Sequence, residues 1–136
     1  MTAQIAEQII WAGDEHALLS DPLADYLSGC AARPEFAWES TALWRGYLGS
    51  WQIVGDELHL MALKGRLKNG QPVSLETIFP GSDGSIFAAW YSGELRIPRG
   101  RLLHYVHRGF DSIYRTEIIL HVELGRVVRL EERRNR

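Results

Sequence analysis

IYRTEIILHVELGRVVRLEE, residues 113–132, is the stretch that decides the fold. Apolar and polar residues alternate from Tyr114 to Leu124, which is typical of a strand with one face against a core. Gly125 permits a tight turn, after which RVVRLEE returns as a second strand. The pattern predicts an antiparallel hairpin, and we expect residues 131–136 to leave it as a disordered tail.

Further strand-like segments precede this hairpin. Gly55-Asp56 predicts a two-residue turn between two of them. The return strand is apolar on both faces over residues 60–63, which predicts a central strand covered on both sides. Pro98-Arg99-Gly100 predicts a tight turn that separates extended segments at residues 94–97 and 101–107.

Helix signals are few and short. Asp21 is a capping residue and Pro22 fits the first helical position, while Gly29 can end this helix in a left-handed conformation. Ser74 predicts a second helical turn. The chain is therefore expected to be a mostly β (β or α+β) single domain over residues 1–136. Its expected architecture is a curled antiparallel sheet or partly open barrel with one or two short helices.

Composition limits the setting in which the protein works. Cys30 is the sole cysteine, which excludes an internal disulfide and predicts a reducing compartment. The first residues do not have the pattern of a signal peptide, and no apolar run is long enough to span a membrane. We expect a cytoplasmic protein with no membrane contact. A pI near 6.2 argues against nucleic acid as the partner.

Residues 90–114 carry the most distinctive chemistry. Arginines cluster there around the Pro-Arg-Gly segment, aromatic residues alternate with them, and no acid lies between Leu95 and Phe110. Guanidinium groups bind carboxylates and phosphates, and arginine together with aromatic residues is common in binding hot spots. The candidate binding residues, for a protein partner or an anion, are Arg96, Arg99, Arg101, Tyr105, Arg108 and Phe110.

A second set of polar residues suggests a cleft instead. Such a cleft would be lined by His104, His107, Tyr114 and Glu117, and would serve a small-molecule binder or a small enzyme. The i, i+3 spacing of the two histidines places them on opposite faces of a strand, so no metal site is expected. No nucleophile motif is present, because GSDGS at residues 81–85 is neither a nucleophile elbow nor a phosphate loop. We therefore predict no catalytic residue and no cofactor.

WRGY at residues 44–47, GELRIP at 93–98 and LLHYVHRGFDSIY at 102–114 resemble an uncharacterised family of short bacterial cytosolic proteins. The shared pattern reads SGELRIPxGxLLxYVHxGFxSxY and extends over residues 42–125, with a looser match at DPLADYL. The resemblance implies a bacterial cytosolic origin and one compact domain, and it implies no activity. The family has an apolar residue where Arg108 stands and an acid where Arg115 stands, so neither arginine belongs to a shared chemistry.

The leading hypothesis is a non-enzymatic module, accessory or immunity-type, that binds another protein through the surface around residues 90–114. If they are exposed, Trp90, Tyr91, Tyr105 and Phe110 would serve as anchors of that surface. The alternative is the cleft described above, and a third hypothesis is a homodimer formed through edge strands.

Overall fold

A computed structural model of the chain describes residues 6–30, 34–37, 46–82, 84–104 and 113–134, with the backbone alone for 100–104 and 113–115. In chain order the elements are β1 (Glu7–Trp11), β2 (Asp14–Leu18), α1 (Pro22–Ser28), β3 (Tyr47–Val54), β4 (Glu57–Gly65), α2 (Leu75–Ile78), β5 (Ile86–Phe87), β6 (Gly93–His104), β7 (Ile113–Glu123) and β8 (Arg126–Arg134). The chain is mostly β, as the sequence predicts.

The strands form a single sheet in the order β2-β1-β3-β4-β8-β7-β6, with the short β5 paired to β4. All neighbours are antiparallel except β1 and β3, which run parallel. This parallel pair is the exception in a sheet that is otherwise antiparallel, and the connection between its strands contains α1, because parallel neighbours need a crossover.

The sheet curls until its two end strands approach each other. The Leu19 N–H, just after β2, donates to the carbonyl oxygen of Arg96 in β6 at 2.8 Å. The Ser20 hydroxyl accepts from the Arg96 N–H at 3.0 Å and donates to the Glu94 carbonyl at 3.2 Å. These contacts join the ends without a strand ladder, so the predicted curled sheet is confirmed and it does not close into a barrel.

Side chains on the concave face form the core. Leu23 and Leu27 of α1 are fully buried against the sheet, together with Trp51 of β3 and Leu60 of β4. Trp90 packs beside Trp51, with ring centroids 6.4 Å apart in an edge-to-face arrangement. Because most large aromatic side chains in the described residues join this core, they are not available as surface anchors.

Two expected features of β6 and β8 are wrong. No turn interrupts residues 98–100, because Pro98 lies within β6 and pairs with Glu117 of β7. Proline is compatible with this strand because β6 is the last strand of the sheet. Its outer edge has no neighbouring strand at Pro98, so the missing N–H of proline interrupts no ladder hydrogen bond. Residues 131–134 are not a tail, since pairing with β7 carries β8 to Arg134.

The double covering expected for residues 60–63 is also wrong. A register shift places Ser50 opposite Ala62 and Trp51 opposite Leu60, so Met61 is an extra, bulged residue. The bulge turns Leu63 to the same buried side as Leu60 and leaves Met61 exposed.

The ends of α1 differ from their expected chemistry. Asp21 makes no side-chain capping bond and Gly29 has φ −89°, which is not left-handed. The Asp21 carboxylate instead accepts from the Tyr47 hydroxyl, at 2.8 and 3.0 Å to its two oxygens. α2, in contrast, has the predicted Ser74 cap, as part of a capping box with Thr77.

Candidate functional site

The predicted site residues fall on β6, on β7 and on the connection between them. Tyr105, His107, Arg108 and Phe110 lie outside the described residues. The backbones of Arg101, His104 and Tyr114 lie in β6 and β7, and their side chains are outside the described part. The geometry of this site therefore rests on Arg96, Arg99 and Glu117.

Arg96 and Glu117 form an ion pair between Nε and Oε1. The side chains are 20% and 4% exposed, so the pair is largely removed from solvent. Glu117 is opposite Pro98 in the β6–β7 register, which makes Arg96 its diagonal neighbour on the same face. The sequence placed Arg96 in the binding surface and Glu117 in the cleft, whereas in the structure the two side chains form one ion pair.

Arg99 is exposed, in contrast to the partly buried Arg96. It lies on β6 opposite Thr116, beyond the contact of β6 with Leu19 and Ser20. Among the described residues no strand pairs with the outer edge of β6 past Ile97. An arginine at an open strand edge can bind a carboxylate of a partner. The unpaired backbone beside it can at the same time form main-chain hydrogen bonds with that partner.

Trp90 and Tyr91, expected as anchors, contribute to the core instead. The Trp90 indole N–H donates to the Pro22 carbonyl at 2.8 Å, and the Tyr91 hydroxyl donates to the Glu94 carbonyl at 2.6 Å. Burial raises the pKa of Tyr91 to about 12, with a smaller contribution from the carboxylates of Asp25, Glu94 and Asp21. A neutral, buried phenol has a packing role.

Sequence reasoning missed a polar network on the convex face of β6, β7 and β8. His121 lies 2.9 Å from Glu131 through Nε2 and 3.9 Å from Glu94 through Nδ1. Arg133 reaches both carboxylates, at 3.4 and 3.5 Å. The hydrogen bond with His121 is the main cause that holds the pKa of Glu131 below its usual value, and Arg133 adds to it. Strand alternation places these residues on one face, but only the register between strands brings them into contact.

This network does not supply a metal site. Within the part of the chain that the structure describes, no group of three or more His, Cys, Asp or Glu is arranged to hold a metal ion.

A second missed group lies at β4 and β5. The His59 Nε2 is 3.0 Å from a Glu57 oxygen, and its Nδ1 is 3.4 Å from the Ser85 hydroxyl. Arg126 binds the other Glu57 oxygen at 2.9 Å. The hydrogen bond with His59 is the main cause that lowers the pKa of Glu57. Burial acts against it, and the charge of Arg126 adds a smaller lowering effect. The order hydroxyl, imidazole, carboxylate is that of a serine nucleophile with its base and orienting acid.

An open groove of about 380 Å³ lies next to this group and is lined by Ala62, Leu63, Ser74, Leu75, Glu76, Ser82 and Gly84. Ser85, His59 and Glu57 do not line this groove, and the lining residue nearest to them in sequence is Gly84. Its mixed apolar and polar lining suits a small ligand with an apolar part.

The third missed group is a carboxylate inside the core. Glu7 is fully buried and accepts from the Gly49 N–H at 2.7 Å and from the Trp51 indole N–H at 3.1 Å. Gly49 leaves the space that the carboxylate occupies, since a Cβ there would lie 2.5 Å from a Glu7 oxygen. The sequence signal is an acid in an otherwise alternating strand, at the position where an apolar residue is expected.

The chain matches no protein-family model, and neither the curated proteins nor the solved structures give a match. In the described residues, no helix is long and apolar enough to cross a membrane.

Proposed function

We propose that the chain is a bacterial cytosolic module that binds another protein and acts as an accessory or immunity-type factor. The contact surface is the distal half of β6, from Pro98 onward, with the connection that follows it. The exposed Arg99 on the open edge of the end strand is the observation that supports this proposal.

The charge of the edge indicates the kind of partner. Arg96 is already engaged with Glu117, so the arginines at 99 and 101 are the ones that we assign to the partner. Guanidinium groups select carboxylates, and charge complementarity mainly raises the association rate. The partner is therefore expected to present an acidic surface, and binding is expected to weaken as salt is added.

The test is a pull-down from a bacterial lysate with two charge-reversed variants. Arg99→Glu with Arg101→Glu should lose the partner while the melting temperature stays unchanged. The matched control, Lys64→Glu with Lys68→Glu, reverses two exposed charges elsewhere and should retain it. Equal capture by both variants contradicts the proposed surface, and an absence of any captured protein contradicts the proposed function.

A second candidate function is ester hydrolysis at Ser85, which the Ser85–His59–Glu57 arrangement favours. The tautomer of His59 with its proton on Nε2 donates to Glu57 and leaves Nδ1 free to accept the Ser85 proton. The Ser85 oxygen would then attack an ester carbonyl, and His59 would give the proton to the leaving alcohol as its bond to the acyl carbon breaks. A water molecule, deprotonated by His59, would attack the acyl group on Ser85, and His59 would return that proton to the Ser85 oxygen as the acid is released. The cleft around His104 and His107 remains a separate prediction.

Turnover of p-nitrophenyl acetate tests this second function. Ser85→Ala and His59→Gln should each remove activity, whereas Ser82→Ala, a hydroxyl that lines the groove, should keep most of it. A rate that Ser85→Ala leaves unchanged eliminates Ser85 as the nucleophile.

A further inference from the structure

A fourth side chain, Arg126, belongs to the Ser85–His59–Glu57 group. Its Nη2 atom lies 2.9 Å from the Oε2 atom of Glu57, while the Nε2 atom of His59 lies 3.0 Å from Oε1 of the same carboxylate. The two oxygens of Glu57 are thus divided between a guanidinium and an imidazole. A carboxylate held in this way cannot turn away from the imidazole without breaking its ion pair with the arginine.

The sheet places Arg126 directly against Glu57. The two residues are paired where β8 meets β4. On either side of this pair a backbone N–H donates across to the other strand, from Leu58 at 2.8 Å and from Val127 at 2.7 Å. This is the pattern of a non-hydrogen-bonded antiparallel pair, in which the two side chains lie closest together. The contact of Arg126 with Glu57 is therefore a consequence of the strand register.

Two further contacts hold the guanidinium in place. Its Nη1 atom lies 3.3 Å from a carboxylate oxygen of Asp56, and its central carbon lies 5.4 Å from the centroid of the Phe87 ring. Phe87 is also opposite His59 in the β4–β5 register, with ring centroids 5.6 Å apart. One aromatic ring thus lies beside both the guanidinium and the imidazole and restricts the movement of both.

We propose that Arg126 is a positioning residue for the Ser85–His59–Glu57 group. By holding one oxygen of Glu57 it directs the other oxygen at Nε2 of His59, and this contact favours the tautomer with its proton on Nε2. The Nδ1 atom of His59, 3.4 Å from the Ser85 hydroxyl, is then free to accept the Ser85 proton. Arg126 itself touches no reacting atom. The inference rests on the second candidate function, ester hydrolysis at Ser85.

The charge of Arg126 also affects the pH range in which the group is active. The side chains that face His59 come from β3, β4, β5 and β8, and they are Gln52, Glu57, Ser85, Phe87 and, behind the carboxylate, Arg126. In this set only Glu57 and Arg126 carry a charge, and the guanidinium opposes the effect of the carboxylate. Base catalysis requires the neutral imidazole, so the loss of this cation should move the rise of activity to higher pH.

The pH–rate profile for hydrolysis of p-nitrophenyl acetate tests the proposal. Arg126→Gln should lower kcat roughly tenfold with KM nearly unchanged, because Glu57 no longer holds His59 in one orientation. It should also raise the pH of half-maximal kcat by about half a unit. Arg126→Lys keeps the charge but not the planar fork, so it should retain the wild-type midpoint with a reduced kcat.

The matched control is Arg134→Gln. Arg134 is also an arginine of β8 and is bound to a carboxylate two residues away, Glu132, at 3.1 Å. Its replacement should leave both kcat and the midpoint unchanged. The Arg126 side chain is 52% exposed, so Arg126→Gln should change the melting temperature little.

The outcomes separate this inference from the function on which it rests. A rate that Ser85→Ala and His59→Gln leave unchanged rejects ester hydrolysis, and the role of Arg126 is rejected with it. Activity that depends on Ser85 but is the same in Arg126→Gln rejects the positioning role alone. A lower kcat with an unchanged midpoint and a lower melting temperature assigns Arg126 to the fold, which also overturns the proposal. If Arg126→Gln is poorly folded, a wild-type kcat in Arg126→Lys overturns it instead.

Discussion

Gly49 is the position at which the smallest substitution should have the largest effect on stability. A Cβ added there would lie 2.5 Å from a Glu7 oxygen and 2.7 Å from the Trp51 indole nitrogen. Ordinary contacts begin near 3.4 Å, so both groups would have to move away by several tenths of an ångström. Neither group moves freely, because Glu7 is fully buried and Trp51 is 1% exposed.

The expected cost follows from these contacts. Overpacking a dense core costs about 1–3 kcal/mol. The displaced carboxyl group would also weaken the bonds that it accepts from the Gly49 N–H and the indole N–H, and a hydrogen bond contributes about 0.5–1.5 kcal/mol. Because partial relaxation retains some of that bonding, we expect Gly49→Ala to lower the free energy of unfolding by about 2–4 kcal/mol. This corresponds to a fall in Tm of roughly 10 °C for a chain of this size.

Urea denaturation monitored by tryptophan fluorescence measures this difference. Gly29→Ala is the matched control, since Gly29 has φ −89° and a Cβ there would meet only the Tyr26 carbonyl oxygen at 3.6 Å. It should change stability by less than about 1 kcal/mol. If Gly49→Ala is as stable as Gly29→Ala, Glu7 does not fill the space beside Gly49, and the account of the buried carboxylate is wrong.

Three further predictions concern other polar groups of the fold. Tyr47→Phe should destabilise the protein by about 1–2 kcal/mol in urea denaturation, because Asp21 loses the hydrogen bond that the Tyr47 hydroxyl donates to it. Arg96→Ala should cost about 3–5 kcal/mol by the same measurement, since it removes the guanidinium that forms a largely buried ion pair with Glu117, whereas Arg99→Ala should be nearly neutral. Ultraviolet titration should show Tyr91 ionising near pH 12. The free energy of unfolding should fall as pH rises above 10, because the phenol loses its proton at lower pH in the unfolded state than in the folded state. Tyr91→Phe should reduce this fall.

The sequence was sufficient to predict the helices, strands and turns that depend only on neighbouring residues. Asp21-Pro22 marks the start of α1, and Ser74 marks the start of α2. The alternation after Ile113 predicts β7, and Gly125 marks the turn into β8. The role of Asp21 was not predictable, because its partner Tyr47 lies 26 residues away and is brought close by the fold.

The candidate site depended on information that is not local. The pairing of Arg96 with Glu117 follows from the β6–β7 register, and a predicted turn at Pro98 hides that register. Proline alone cannot distinguish a turn from an edge strand, since both positions tolerate the missing N–H. Similarly, nothing in the local sequence distinguishes a buried Tyr91 from an exposed one. Whether the Tyr91 side chain is buried depends on how the rest of the fold packs around it.

The hydrogen bonds that join Ser20 to Arg96 have a consequence for the order in which the protein folds. The two residues are 76 positions apart in the chain, and Glu7 is 42 positions from Gly49. At a synthesis rate of 5–20 residues per second, the β1–β2 hairpin waits about 4–15 s before β6 has been made. During that interval Ile9 and Leu18, which are fully buried in the finished sheet, have no complete core to cover them. The nascent hairpin is therefore the segment on which a chaperone would act first.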